Sequence, residues 1–172
     1  DFDANSLFVT IPDFHNTIKR FESFKKAISE DAYNRLNKVK AEVSELLSFE
    51  KSACELQEYL DRGEIPLRVT HNDTKLNNIL MDAKTGEARA VIDLDTIMPG
   101  SMLFDFGDSI RFGAATAAED EQDLSKMKMD LHLFQVYTQG FLDAARSLTA
   151  AEVKMLPMGA LIMTLECGVR FM

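Results

Sequence analysis

The chain has 172 residues, 46% of them hydrophobic and 27% charged, with a formal net charge of -9. Such a chain suits one globular domain with a sizeable core and excludes a disordered or fibrous protein. The acidic balance excludes a general nucleic-acid binder, and any anionic ligand would need accompanying cations.

No signal peptide or membrane span is expected. The most apolar stretch, Met155 to Leu165, is too short and carries Pro157 and Gly159. The expected location is therefore cytoplasmic, with no membrane partner. Cys54 and Cys167, the only cysteines, fall in helical patterns and read as free thiols.

Residues 1–12 read as extended chain or loop. Asp13 is a candidate cap for a helix through Ser29, with Phe14, Ile18, Phe21, Phe24 and Ile28 near one face. Residues 31–62 read as one long helix or two joined ones, stopped by Gly63. The pattern then changes. Residues 66–70 form a short strand, and 79–93 a β-hairpin turning at Lys84–Glu87. Residues 98–101 read as a loop. A helix is expected to begin at Asp105 or Phe106 and run towards Ala118, and another to span 124–145. Thr149-Ala-Ala-Glu152 is a capping-box pattern that opens a last, very apolar helix. The expected class is α+β and mainly helical, with a small β insert.

That insert carries the chemistry. His71, Asp73 and Asn78 stand in the spacing H-x-D-x-x-x-x-N, and a later apolar run, Ala90-Val-Ile92, delivers Asp93 and Asp95. Phosphoryl transfer needs an acceptor hydroxyl held in line and a divalent ion on the phosphate oxygens. Asp73 would take or orient the hydroxyl proton. Asn78 offers a neutral oxygen to magnesium and Asp93 a charged one, and Asp95 is a further or water-mediated ligand. His71 has two readings, a catalytic base or, the one favoured here, a residue that shapes the loop through its ring nitrogens, bonding backbone or Asp93. Lys75 is placed either to meet the transferred phosphate or simply in solvent.

Asp105, Asp108 and Arg111 lie in Phe104-Asp-Phe-Gly-Asp-Ser-Ile-Arg111. Asp108 and Arg111, at i and i+3, could be an ordinary surface pair. Asp105 could instead cap the helix and brace the catalytic loop. The local Asp105-Phe-Gly107 mimics a magnesium-binding motif of protein kinases. It opens a helix, however, whereas Asp93 closes a hairpin strand, so the metal role is assigned to Asp93.

These residues resemble the aminoglycoside phosphotransferase and choline kinase superfamily, which shares the protein-kinase-like fold. Thr70–Asn78, Asp93–Gly100, Phe104–Arg111, Ile11–His15 and Gly63–Arg68 are most similar to bacterial N-acetylhexosamine 1-kinases, and the likeness covers nearly the whole chain. It implies an ATP- and magnesium-dependent kinase acting on the anomeric hydroxyl of an amino sugar. In that resemblance Asp73 is the base, Asn78 and Asp93 bind magnesium, and Arg170 lies near the sugar.

No G-x-G-x-x-G loop occurs, and no lysine sits in a plausible preceding strand. The 172 residues therefore read as a C-terminal catalytic lobe, a fragment lacking its N-terminal nucleotide lobe. Alone they are expected to turn over negligibly and to be open to homodimerisation through exposed apolar surface. Three alternatives stay open: a kinase for another small alcohol (aminoglycoside, choline or homoserine), a non-catalytic binding module with this fold, and a metal-dependent hydrolase.

Overall fold

Capping chemistry divides the helical half of the chain more finely than apolar periodicity does. The computed structural model describes residues 2–172. Helix α1 (Thr17–Glu30) is capped by Asn16, whose side chain accepts from the Lys19 N–H; Asp13, the expected cap, instead sits in a left-handed turn at φ 59°. Asp31 ends α1 in the left-handed region and turns its carboxylate onto the backbone N–H groups of Arg35 and Leu36. Residues 31–39 are thus turns and a single 3-10 turn, Leu36–Lys38, and not α-helix. The helical pattern resumes as α2 (Lys40–Ser48) and α3 (Glu50–Asp61), separated only by Phe49.

Four short strands follow the helices. Strand β1 (Arg68–Thr70) pairs antiparallel with β4 (Met98–Gly100), in the register Thr70 to Met98 and Arg68 to Gly100. The stretch expected to be a loop is therefore a strand. Strands β2 (Ile79–Met81) and β3 (Ala88–Val91) form the expected hairpin, with a bulge between Leu80 and Met81.

Helix α4 (Met102–Gly113) is capped by Ser101, not by Asp105, and stops five residues before the expected Ala118. Asp105 lies in its first turn. Helix α5 (Leu131–Ala144) starts later than expected because Asp130 caps it through the N–H groups of His132 and Leu133. Helix α6 (Ala150–Phe171) opens with the expected capping box of Thr149 and Glu152.

The core lies between these helices. Phe21 and Leu56 from α1 and α3 meet Leu103, Phe106 and Ile110 of α4 and Ile162 of α6, all at most 1% exposed. Each such side chain contributes roughly 1.5–3 kcal/mol by leaving water. Helices α4 and α6 touch backbone to backbone. A Cβ on Gly107 would overlap the Gly159 carbonyl, and one on Gly159 would overlap the Leu103 carbonyl. Two glycines thus permit this close approach, and with it set how near the residues of α4 and α6 that line the site come to one another.

A second tie joins the sheet to α6. Arg68 Nε and Nη2 donate to the two Glu152 oxygens at 2.7 and 2.8 Å, and Glu152 is fully buried. Its carboxylate also completes the helix cap by accepting the Thr149 N–H at 2.7 Å. No helix among the described residues is long and apolar enough to cross a membrane.

Candidate active site

The loop between β1 and β2 is held from three directions. Asp105 of α4 accepts the Asn72 N–H on Oδ1 at 2.7 Å and the His71 N–H on Oδ2 at 2.9 Å. Burial pushes the Asp105 carboxyl above the usual carboxylate range, against the pull of these two donors. Thr74 completes the seam, since its hydroxyl donates to the Asp105 carbonyl and its carbonyl accepts from Ser109 Oγ at 3.1 Å.

The second hold is Asn72, buried and left-handed at φ 66°. Its amide donates to the Thr70 and Thr96 carbonyls, while its Oδ1 accepts from the Thr70 hydroxyl. A side chain that replaces missing backbone pairing makes this tight turn affordable.

The third hold comes from the far ends of the chain. His15 Nε2 faces the Asn72 carbonyl at 2.9 Å and Nδ1 faces Glu166 Oε2 at 3.0 Å. Both partners are oxygen acceptors, so the ring links the loop to α6 through its two nitrogens. Glu166, 3% exposed, also accepts the Thr17 hydroxyl at 2.7 Å, and Arg20 Nε stands 3.3 Å away as an ion pair. Sequence reasoning missed this brace. The signal was Glu166 itself, an acid inside a very apolar helix, which must find partners when buried.

Within this frame His71 shapes the loop, as expected. Its Nε2–H donates to the Ile92 carbonyl at 3.0 Å, and Nδ1 therefore accepts the Asp73 N–H at 3.3 Å. Asp93 is not its partner. Asp73 has one oxygen committed and one free. Its Oδ2 meets Asn78 Nδ2 and Lys75 Nζ, both at 3.0 Å. Its Oδ1 has no partner among the described residues. The hydrogen bond to Asp73 holds the Lys75 ammonium above its usual pKa despite partial burial, and the charges of Asp73, Asp93 and Asp108 add to the effect. Lys75 is thus no free solvated lysine.

The hairpin brings Asn78 and Asp93 towards each other, because the Ile92 N–H donates to the Asn78 carbonyl at 2.9 Å. Asn78 spends its amide nitrogen on Asp73 and keeps its oxygen available. Asp93 sits at φ 62°, left-handed, with no hydrogen bond or ion pair among the described residues. Asn72 and Asp93, at the two ends of this arrangement, are thus both non-glycine residues in the left-handed region.

The expected cluster of convergent carboxylates is not formed. Among the described residues no three His, Cys, Asp or Glu side chains gather closely enough to hold an ion. Asp95 is exposed in a short 3-10 turn. One carboxylate and one amide oxygen still fit magnesium, which keeps most of its shell as water and substrate phosphate.

Asp73 opens into a small cleft of about 60 Å³, whose walls include Phe14, Arg20, Asp108, Arg111 and Arg170. Arg170, expected near an acceptor, does line it. Asp108 and Arg111 form a buried pair, not a surface one, with Asp108 only 4% exposed. Burial opposes the Arg111 charge, but the hydrogen bonds it donates to Asp108 and Glu119 outweigh it and hold the guanidinium above its usual pKa. Arg20 and Arg170 also border a larger cavity of about 490 Å³, so the cleft adjoins room for a bulkier acceptor.

A carboxylate with one free oxygen, a hairpin that carries an amide and a second carboxylate, and a cleft beside them are an arrangement that phosphoryl transfer can use. The comparison with known families agrees. Residues 10–138 match the model of the phosphotransferase enzyme family, APH. The chain belongs to that family, whose members are kinase-type enzymes.

Proposed function

We propose that this chain carries the acceptor and metal half of a small-molecule kinase that uses ATP and magnesium. The acceptor we propose is a neutral, hydroxyl-rich molecule, with the anomeric hydroxyl of an N-acetylhexosamine as the leading candidate. The observation that carries the reading is Asp73. One of its oxygens is fixed by Asn78 and Lys75, and the other is free beside a cleft.

In the proposed reaction the acceptor oxygen attacks the γ-phosphorus of ATP and the bond to the β,γ-bridging oxygen breaks. ADP leaves with that electron pair, and the acceptor proton passes to Asp73. Lys75, 3.0 Å from Asp73, would swing its charge to the transferring phosphoryl group. Asn78 Oδ1 and Asp93 would hold magnesium, with Asp95 reaching it through water. When bound, the ion would neutralise phosphate oxygens. None of the glycines here forms a phosphate cradle, so the proposal places that element on polypeptide outside these residues.

The wall charges favour a neutral acceptor. Asp73, Asp108 and Glu166 are offset by Arg20, Arg111 and Arg170. A polycationic aminoglycoside would want an acidic excess, and a quaternary ammonium an aromatic cage, for which the cleft offers only Phe14.

The test is phosphate transfer by the full-length protein across N-acetylhexosamines, aminoglycosides, choline and homoserine. Asp73→Asn should lower kcat by roughly 10²–10⁴-fold with acceptor KM little changed. Unaltered turnover in that variant would refute the assignment of the base.

A further inference from the structure

The cleft beside Asp73 holds an acceptor atom with nothing to accept. Asp108 is 4% exposed and walls the cleft, yet its Oδ2 has no hydrogen-bond partner. A buried carboxylate oxygen without a donor is costly, and a water, an ion or a ligand group is what completes such an atom in a native structure. The arrangement of Arg111 sharpens the point. A guanidinium usually grips a carboxylate with two parallel bonds, one to each oxygen. Here Nε and Nη2 both go to Asp108 Oδ1, at 3.2 and 2.9 Å, and Nη1 turns away to Glu119. Oδ2 is left over.

The position of this oxygen is fixed relative to the base. Thr74, next to Asp73, is bonded to α4 through both Asp105 and Ser109, one helical turn that contains Asp108. Asp73 and Asp108 therefore face the same cleft from a shared rigid seam.

We propose that Asp108 Oδ2 accepts a hydrogen bond from a second, non-reacting donor of the acceptor molecule, and so selects acceptors that carry one. The donor is a neutral hydroxyl or amide N–H. An ammonium is disfavoured, because Arg111 already sits on the same carboxylate and Arg20 and Arg170 line the same walls. The acceptor class is then a polyol or N-acyl sugar with at least two donors close together, one placed at Asp73 and one at Asp108. This rests on the proposed kinase reading and adds the group by which that site tells its acceptor from others.

The experiment is steady-state kinetics of the full-length protein on N-acetylglucosamine and N-acetylgalactosamine and on analogues that each lack one hydroxyl or the amide N–H. In the wild type, one non-reacting deletion should lower kcat/KM by roughly 10–100-fold, the range of a hydrogen bond to a buried charge. In Asp108→Asn the parent sugar should fall by a similar factor, that analogue should fall no further, and the KM for ATP should stay put. Arg111→Gln breaks the same ion pair but spares Oδ2, so it should keep the ratio between parent and analogue. If Asp108→Asn does not fold, a ratio retained in Arg111→Gln supports the proposal and a lost ratio overturns it. A uniform loss across parent and all analogues in Asp108→Asn, or no loss, overturns it while the kinase reading stands. A wild type that phosphorylates no neutral sugar overturns both.

Discussion

Asp105→Ala would show how far a single carboxylate holds the loop between β1 and β2 in place. Two backbone donors, from His71 and Asn72, end on its oxygens at 2.9 and 2.7 Å. Hydrogen bonds to a charged acceptor contribute about 1.5–3 kcal/mol each, so the gross loss is about 3–6 kcal/mol. One term opposes this. Burial raises the Asp105 pKa, which means that keeping the charge in this site is itself unfavourable, and the substitution relieves that. The expected net destabilisation is about 3 kcal/mol. For a chain of this size that lowers Tm by about 6–12 °C.

Asp105→Asn keeps one acceptor and should cost about half as much. Its pH dependence has a fixed sign. The folded pKa lies above the ordinary 3.8, so the native state binds the extra proton and the stability due to Asp105 falls as pH rises through that window. The gap between wild type and Asp105→Asn should be widest near pH 4 and shrink as pH rises to the folded value. Thermal unfolding followed by circular dichroism from pH 4 to 7 measures both effects. A Tm for Asp105→Ala within about 2 °C of wild type throughout would refute the bracing role, since it lies well below the shift worked out above.

Two further substitutions probe the scaffold. Gly107→Ala pushes a methyl into the Gly159 carbonyl, and should destabilise by about 3 kcal/mol or more because backbone cannot step aside as a side chain can. A urea midpoint equal to wild type would mean that α4 and α6 do not touch there. Arg68→Ala leaves the buried Glu152 carboxylate with the Thr149 N–H and should cost about 2–4 kcal/mol, less than a fully buried pair because Arg68 is partly exposed. Burial pushes Glu152 up, but its bonds to Arg68 and Thr149 outweigh that and leave it below 4.5. The benefit is thus present above that pH and lost as pH falls through the folded value. Equal pH profiles for wild type and Arg68→Ala would contradict this.

The parts of the site that lie close in sequence were legible in it. His71, Asp73 and Asn78 span one loop, and their spacing predicts that Asp73 and Asn78 come together; the hairpin to Asp93 was readable from its turn and apolar runs. Long-range pairing was not. Met98-Pro-Gly100 has poor strand propensity and becomes a strand because Thr70, 28 residues earlier, pairs with Met98. Asp108 and Arg111 announced themselves as an i,i+3 pair, but burial separates a surface pair from a cleft wall, and burial depends on α6. The His15 brace joins residues 151 apart, beyond any local pattern.

That separation orders events during synthesis. His15 leaves the ribosome early, and Asn72 follows 57 residues later. Glu166 arrives 151 residues after His15, roughly 8–30 s at ordinary elongation rates. In that interval the hairpin and its turn can form, but the histidine that ties the loop to α6 lacks its partner on that helix. A nascent chain stalled between residues 105 and 166 would therefore present Asp73 on a loop whose third support is incomplete.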